Sequence, residues 1–600
     1  MPSYRAPLDD FRFIFNDLLR IRDYASVPGF AEATPDVIET VLREGARFVE
    51  DIVQPLNQIG DREGCRFDNG QVFAPAGFKA AFDAYRDCGW NGLTGDPAYG
   101  GQGLPRVVGI ALSEMTTSAC MAFGMYPGLT RGVGDVIRTH GSAEQKRTYL
   151  ARLVACEWTG AMSLTEPQAG TDLGLIATKA KPAGDGTYRI TGTKIFISSG
   201  DHDLAPNIIH LVLARIGGAA DGAKGVSLFI VPKFLVGADG TLGMRNGAAV
   251  GSIERKMGNH GNPTCVMIYE GAVGYLIGRQ HEGLHAIFTM LNATRLGSGV
   301  QGLAIAEAAY QNAARHARER LQGRSLMGTA APDKPADPII HQPDVRRMLM
   351  TMRSFIEGAR ALALWVGVLV DCAHKHPRAE EKRAADDLVS LLTPVIKAYF
   401  TDWGYQCATL AQQIFGGHGY IKESGMEQFV RDARLPMLYE GANGVQALDL
   451  VGRKLPAADG RLPKRFLGLL ETFIAANRGC PAIAADFVAP LADAAEQLRI
   501  ATTVICERAQ RNKDDAAAAS MSYLQLLALV AIGFMWTRMA LVAARRLEDL
   551  PDDDEQGPLY RNKLMTGRFF MRQMLPDTMS HFAKILAATD VTMALPADAF

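Results

Sequence analysis

The sequence lacks three features that mark common classes of protein. Its nine cysteines are dispersed, with no C-x-x-C pair and no cysteine–histidine cluster, which excludes a zinc module and a secreted disulfide framework. Its 63 basic residues against 64 acidic ones leave a net charge of −1, so overall charge favours neither a nucleic-acid partner nor an acidic membrane surface. Its 61 glycines and 29 prolines are scattered, which excludes collagen and long disordered segments.

The first residues, MPSYRAPLDDFRFIF, lack a basic segment followed by an apolar one. We therefore expect no secretory signal peptide. Together with the dispersed cysteines, this favours a reducing compartment, and we expect a cytoplasmic protein.

One long apolar run, LQLLALVAIGFMWTRMALVA over residues 524–543, is a candidate transmembrane helix. Its length approaches the roughly 20 residues that cross a bilayer. Gln525, Thr537 and Arg538 interrupt it, however, and a helix buried inside a large all-α layer is also apolar on every side. We favour the buried helix and expect no integral membrane span.

The spacing of apolar residues changes along the chain. Apolar residues recur at helical spacing in the first part, whereas β-branched runs separated by turn residues follow, as in YRITGTKIFIS, NIIHLVLARI and GVSLFIVPKF. Helical spacing then returns. The predicted class is a multidomain α+β fold with five segments: an N-terminal extension (1–34), an α-helical domain (35–158), a central β-barrel-like domain (159–283), an α-helical bundle domain (284–455) and an additional C-terminal α-helical domain (456–600).

Two motifs in the β-rich region could hold a planar ring. MSLTEPQAGTD (162–172) is a strand end followed by a turn with hydroxyls at Thr165 and Thr171, and such a turn can bind a flavin edge or a pyrophosphate. FISS places the aromatic Phe196 beside small hydroxyls, including Ser198. A plain polar loop and a core phenylalanine explain the same patterns.

Two later motifs have similar alternatives. The paired glycines of QIFGGHGY (413–420) permit close backbone approach to a phosphate or ribose, or they end a helix. In YEGAN, Glu440 lies between Tyr439 and Gly441. A carboxylate buried among such neighbours would have a raised pKa and could act as a general base, while an ordinary surface glutamate near a helix start is the alternative.

In their order and spacing, these motifs resemble the acyl-CoA dehydrogenase flavoprotein family over about residues 35–455. TEPQAGTD followed by ITGTKIFISSG is similar to that family's flavin-binding segment, and RERLQG, HQPDVRRML, QIFGGHGY and YEGAN follow in the family's order. The start of the chain, an insertion at 327–340 and the helical C-terminal domain resemble the long subgroup of the family. The resemblance implies FAD as cofactor, an acyl-CoA substrate and an electron-transfer flavoprotein as electron acceptor.

The resemblance also implies a reaction. A carboxylate removes the α-proton of a saturated acyl-CoA while the β-hydride passes to flavin N5, which gives a trans-2-enoyl-CoA. Glu440 occupies the position of that base, and its backbone N–H is matched to a donor to the thioester oxygen. Some members carry the base on the helix that reads MLNATRLGSG here (290–299), where the candidate position is Thr294 and no carboxylate occurs.

Further contacts are assigned by the resemblance alone. Positions matched to the flavin are Met162, Leu164, Thr165, Thr171, Phe196, Ser198, Ala442 and Asn443. Positions matched to the FAD of a neighbouring subunit are Arg320, Gln322, Gln342, Gln413, Gly416 and Gly417. Positions matched to the substrate are Thr171, Asn292, Arg295, Tyr439 and Gly441. A homodimer is implied, because one chain would not complete its own cofactor site, and no metal is implied.

Three departures from the family pattern stand out. Phe196 occupies a position that is often tryptophan, Ala442 one where threonine is usual, and Met162 one that is usually aromatic. None removes the base, so we expect a working enzyme. Two other functions remain open: an acyl-CoA oxidase that uses O2, and an AidB-like, DNA-associated flavoprotein. The second needs a basic patch on the last domain, whose charges are balanced.

Overall fold

The computed structural model describes residues 2–551, 553–587 and 590–600. The chain forms two compact units. The barrel unit comprises residues 47–104 and 115–297, and the helical unit comprises the described parts of 1–46, 105–114 and 298–600.

Helices account for most of the chain, and their bounds are as follows. They are α1 Leu8–Arg12, α2 Pro35–Phe48, α3 Leu56–Glu63, α4 Phe78–Asp87, α5 Arg106–Ala119, α6 Met121–His140, α7 Ala143–Val154, α8 Gly283–Glu319, α9 Pro343–Lys375, α10 Ala379–Ile414, α11 Met426–Arg434, α12 Asn443–Asp449, α13 Ala457–Asn477, α14 Ala489–Arg511, α15 Lys513–Ala518, α16 Ser520–Asp549, α17 Gly557–Phe569, α18 Asp577–Leu586 and α19 Asp590–Ala594.

The strands lie in the first half of the chain. They are β1 Arg66–Asp68, β2 Gln71–Phe73, β3 Thr159–Ser163, β4 Lys179–Pro182, β5 Tyr188–Ser198, β6 Ile208–Ile216, β7 Val226–Pro232, β8 Phe234–Val236, β9 Leu242–Arg245, β10 Ala248–Ile253 and β11 Thr264–Ile277.

Five of these strands close into a barrel. The pairings run β11–β5–β4–β6–β7 and return from β7 to β11. Strand β3 adds in parallel to β6, and β10 adds antiparallel to β11. Strand β6 is buried along almost its whole length, which explains why its sequence is nearly continuously apolar rather than alternating. The predicted α+β fold class, with a β-barrel-like domain between helical regions, is confirmed.

The long apolar run forms α16, a core helix of the helical unit. The helix is long and apolar enough to cross a membrane by composition, but 83% of its most apolar window is buried within the protein. Trp536 Nε1 donates to the carbonyl of Ser354 on α9 at 3.0 Å. A Cβ at Gly358 would lie 2.6 Å from the same indole nitrogen, so the glycine allows α9 and α16 to approach closely.

A cluster of buried charges joins the ends of the helical unit to its centre. Arg360 on α9 is 1% exposed and binds the carboxylates of Asp10, Glu114 and Glu307. Lys563 on α17 also binds Asp10. Because buried charges are tolerated only when they are paired, these contacts fix α1, α5, α8, α9 and α17 within one packed unit.

Candidate active site

The turn after β3 is built on a buried ion pair. Glu166 and Lys194 are 4% and 0% exposed, and their Oε1 and Nζ atoms lie 2.8 Å apart. Glu166 also accepts from the N–H groups of Ala177 (2.7 Å) and Thr178 (3.0 Å) and from the Thr178 hydroxyl. Burial raises the pKa of Glu166, but the charge of Lys194 and these donors outweigh burial and hold that pKa at about 2.

Sequence reasoning assigned no role to this pair, although both residues lie inside motifs it singled out. A signal was present. Lys194 and Ile190 lie an even number of positions apart in the alternating strand YRITGTKIFIS, and this alternation predicts that both face the barrel interior. A lysine at an inward position requires a buried partner.

A β-bulge turns Phe196 outward. Met267 pairs with Lys194 and Cys265 with Ile197, so two residues of β5 stand opposite one residue of β11, and Phe196 takes a left-handed φ of +58°. Without the bulge, Phe196 would face the same side as Lys194. With it, Phe196 is 59% exposed and Ile197 is buried, so the interpretation of Phe196 as a core residue is wrong.

Thr165 lies beside this bulge, because the N–H of Ile195 donates to its carbonyl at 2.9 Å. In the described part of the chain, the N–H and hydroxyl of Thr165 have no hydrogen-bond partner. Free donors next to an exposed aromatic ring fit a planar ligand with an acceptor edge, such as the isoalloxazine of FAD. The residues present therefore fit the cofactor that the sequence predicts.

The other predicted contacts of the barrel unit differ in exposure. Leu164 is buried, Met162 and Ser198 are half-buried, and Thr171 is exposed. On α8, Asn292 is exposed, whereas Arg295 is 9% exposed with its Cζ 5.7 Å from the ring centroid of Phe288. Thr294 is half-buried on the same helix, and its hydroxyl donates to the carbonyl of Leu291 at 3.1 Å.

In the helical unit, Glu440 lies in a strained loop just before α12. It is half-buried with a φ of +57°, and Gly441 follows with a φ of +86°. The buried Gln446 bridges the loop, since its Nε2 donates to the carbonyls of Glu440 (3.5 Å) and Gly441 (3.3 Å). A Cβ at position 441 would lie 2.3 Å from that nitrogen, so the loop requires glycine there.

Asn443, at the start of α12, anchors the same loop to α10. Its Oδ1 accepts from Lys397 Nζ at 2.8 Å, and its Nδ2 donates to Asp402 Oδ1 at 2.6 Å and to Thr401 Oγ1 at 3.0 Å. Gln525 on α16 donates to the other oxygen of Asp402. The structure thus gives Asn443 a positioning role, while its contact with FAD remains a prediction, as does that of the half-buried Ala442 beside it.

Tyr439 is held by a hydrogen bond from its hydroxyl to the side-chain oxygen of Gln301 on α8. Burial raises its pKa above the ordinary value, and the neighbouring charge of Glu440 acts in the same direction. The phenol therefore stays neutral.

The residues matched to a neighbouring subunit's FAD lie on the surface of the helical unit. Phe415, at the end of α10, stacks on His316 of α8 with ring centroids 4.0 Å apart. This contact brings Arg320 and Gln322, which follow α8, near the end of α10, where Gln413, Gly416 and Gly417 lie. Arg320 also donates to Gln322 at 3.2 Å. All are exposed except the half-buried Gln342: Arg320, Gln322, Gln413, Gly416 and Gly417.

Models of the acyl-CoA dehydrogenase family match consecutive parts of the chain. The N-terminal domain matches residues 38–157, the middle domain 161–272 and the C-terminal domain 281–455. A fourth model, described as acetyl-CoA dehydrogenase C-terminal like, matches 466–596.

Curated relatives match over nearly the full length of the chain. A 3-methylmercaptopropionyl-CoA dehydrogenase of Ruegeria pomeroyi is 40% identical, covering 98% of this chain and 99% of the relative. A butyryl-CoA dehydrogenase of Syntrophomonas wolfei is 31% identical, covering 100% and 99%. The broad-specificity linear acyl-CoA dehydrogenase FadE5 of Mycobacterium tuberculosis is 32% identical, covering 96% of each chain.

A solved structure shares the fold of the whole chain. It is ACDH-11 of Caenorhabditis elegans in complex with C11-CoA, with a TM-score of 0.76 at 18% identity, covering 99% of this chain and 95% of that one. With the relatives and the four domain matches, this likeness leads to one conclusion. The chain belongs to the acyl-CoA dehydrogenase family of FAD-dependent oxidoreductases that act on acyl-CoA.

Proposed function

We propose that this protein removes the α-proton and the β-hydride of a saturated acyl-CoA thioester to give a trans-2-enoyl-CoA, with Glu440 as the base. The observation that carries the proposal is the strained loop of Glu440. A non-glycine residue at positive φ costs about 1–2 kcal/mol, and Gln446, Gly441 and Asn443 together hold it there. Such strain is typical of functional residues.

The chemistry divides between the chain and its cofactor. FAD, when bound, accepts the hydride from the β-carbon. Glu440 takes the α-proton. Because the α C–H group is only a weak acid, removal of its proton requires a desolvated base and a stabilised enolate. By the family resemblance, the backbone N–H of Glu440 supplies one donor to the thioester oxygen.

For the substrate, we propose a short, linear acyl chain, with or without a thioether sulfur. The support comes from the names of the full-length relatives: two specify 3-methylmercaptopropionyl-CoA and butyryl-CoA, and the third is named as a broad-specificity enzyme for linear acyl-CoA. We also propose a homodimer, because the family resemblance matches Arg320 and Gln413 to the FAD of a neighbouring subunit. We propose an electron-transfer flavoprotein as the electron acceptor, following the family.

The test is an anaerobic titration of the FAD-loaded protein with butyryl-CoA, 3-methylmercaptopropionyl-CoA and a long-chain acyl-CoA. We expect the two short thioesters to bleach the flavin absorbance and the long one to do so weakly. The variant Glu440→Gln should bind FAD normally but show no bleaching. Bleaching of that variant at the wild-type rate would overturn the assignment of the base. Rapid reoxidation on admission of air would instead identify an oxidase.

A further inference from the structure

The barrel unit contains a buried cation that touches the backbone of the candidate flavin site. Lys194 is 0% exposed, and its Nζ donates to the carbonyl of Leu164 at 3.0 Å as well as to Glu166. Burying an ion pair costs several kcal/mol per ion before the pairing compensates. An apolar side chain would fill this inward position of β5 without that cost. Packing alone therefore does not explain a lysine here.

The carbonyl of Leu164 and the N–H of Thr165 belong to the same peptide unit. A cation on the carbonyl oxygen draws electron density toward it, which makes the N–H at the other end a stronger donor. Among the described residues, that N–H has no partner. The polarised donor is thus left for a ligand, and it lies beside the bulge that presents Phe196.

Glu166 fixes the cation in this position. Its carboxylate is held by the N–H groups of Ala177 and Thr178 and by the Thr178 hydroxyl. The ammonium of Lys194 therefore bridges two fixed oxygens, one on Glu166 and one on Leu164. This arrangement keeps its charge next to the Leu164–Thr165 peptide.

We propose that Lys194 acts through this peptide: it strengthens the hydrogen bond from the Thr165 N–H to the pyrimidine edge of the flavin and so raises the potential at which FAD takes up two electrons. Reduction leaves negative charge on that side of the ring system, so a stronger donor stabilises the reduced form more than the oxidised one. Lys194 is thus a positioning residue that acts through Thr165. The inference rests on the proposed placement of the flavin against Thr165 and Phe196.

The test compares the midpoint potential of bound FAD in the wild type and in Lys194→Met, which removes the charge at similar length. Reduction is carried out with dithionite and a reference dye, below the pKa of Lys194, which burial lowers to about 8 against the opposing effect of Glu166. We expect the oxidised-to-reduced equilibrium to shift at least tenfold toward the oxidised form, or about 30 mV for two electrons. Lys179→Met is the matched control, because Lys179 is an exposed lysine on the neighbouring strand β4.

A second readout separates polarisation from plain structural support. If Lys194 only held the turn in shape, its loss would weaken the binding of oxidised and reduced FAD equally and leave the potential unchanged. We expect the dissociation constant of reduced FAD to rise at least tenfold more than that of oxidised FAD. A Lys194→Met protein that binds FAD at the wild-type potential would show the inference to be wrong.

A second variant keeps the test decisive if Lys194→Met does not fold with Glu166 left unpaired. Lys194→Met combined with Glu166→Gln removes both buried charges at once, and the same fall in potential is expected. A wild-type potential in the double variant would equally refute the inference. Neither measurement uses acyl-CoA, so a failure of the proposed dehydrogenation would appear separately, as a wild-type flavin that no thioester reduces.

Discussion

Asp10 and Lys563, 553 positions apart in the sequence, form a buried ion pair inside the helical unit. Asp10 belongs to the predicted N-terminal extension and Lys563 to the predicted C-terminal domain. Lys563 also binds Glu357 of α9 at 2.6 Å. The two ends of the chain are therefore joined to each other and to the bundle that carries Glu440.

We predict that Lys563→Met destabilises the protein by about 3–5 kcal/mol, because it removes one of the cations that pair with the buried carboxylates of Asp10 and Glu357. Denaturant unfolding followed by circular dichroism measures the loss. The control is Arg499→Met, since Arg499 and Glu496 are about half exposed and such a pair contributes about 0–1 kcal/mol. Equal, small effects of both substitutions would contradict a structural role for the C-terminal domain.

The same cluster predicts how the stability of the folded protein depends on pH. Among its members, four carboxylates face three cations: Asp10, Glu114, Glu307 and Glu357 against Arg353, Arg360 and Lys563. Burial raises the pKa of Glu114 to about 7, although Arg360 opposes this shift. Between its ordinary value of 4.5 and about 7, the folded protein therefore holds a proton that the unfolded chain has lost, and stability falls as pH rises through this window.

Glu114→Gln removes that dependence. We expect the variant to gain stability over the wild type as pH rises from 5 to 8, by on the order of 3 kcal/mol. The difference should vanish toward pH 4.5, the ordinary pKa of a glutamate. Unfolding curves of both proteins across this range measure it. A constant difference at all pH values would mean that Glu114 does not titrate in this window.

Gly441 and Gly444 offer a matched pair for the loop of Glu440. An alanine at 441 would place its Cβ against Gln446 at a φ of +86°, whereas a Cβ at 444 would have nothing within 4 Å. We predict that Gly441→Ala lowers the rate of flavin reduction by acyl-CoA at least tenfold, about 1.4 kcal/mol of barrier, because the carboxylate moves. Gly444→Ala should react like the wild type. Stopped-flow absorbance under anaerobic conditions measures the rate of flavin reduction in each protein. Equal rates in Gly441→Ala and the wild type would show that flavin reduction does not require this loop shape.

Sequence reasoning predicted the fold class because periodicity changes sharply between helical and β regions and because motifs occur in a recognisable order. It could not find Gln446 or identify Glu166 as the partner of the inward-facing Lys194, since each depends on a contact between segments that local pattern does not encode. It also left open whether Phe196 was core or ligand-facing. The answer depends on a single bulge opposite Val266, and a one-residue insertion reverses the side on which a side chain lies.

Phe196 itself provides the last prediction. An exposed ring that stacks on the flavin should contribute about 0.5–1.5 kcal/mol beyond its buried area, so Phe196→Ala should weaken FAD binding by roughly tenfold or more. Phe196→Trp keeps the stacking surface and should bind FAD like the wild type. Met244→Ala is the control, because Met244 is an apolar residue of the same unit and is 79% exposed. Fluorescence titration of the apoprotein with FAD measures all four affinities. Tight binding by Phe196→Ala, equal to that of the Met244 control, would mean that the bulge turns Phe196 outward for another purpose than to hold the flavin.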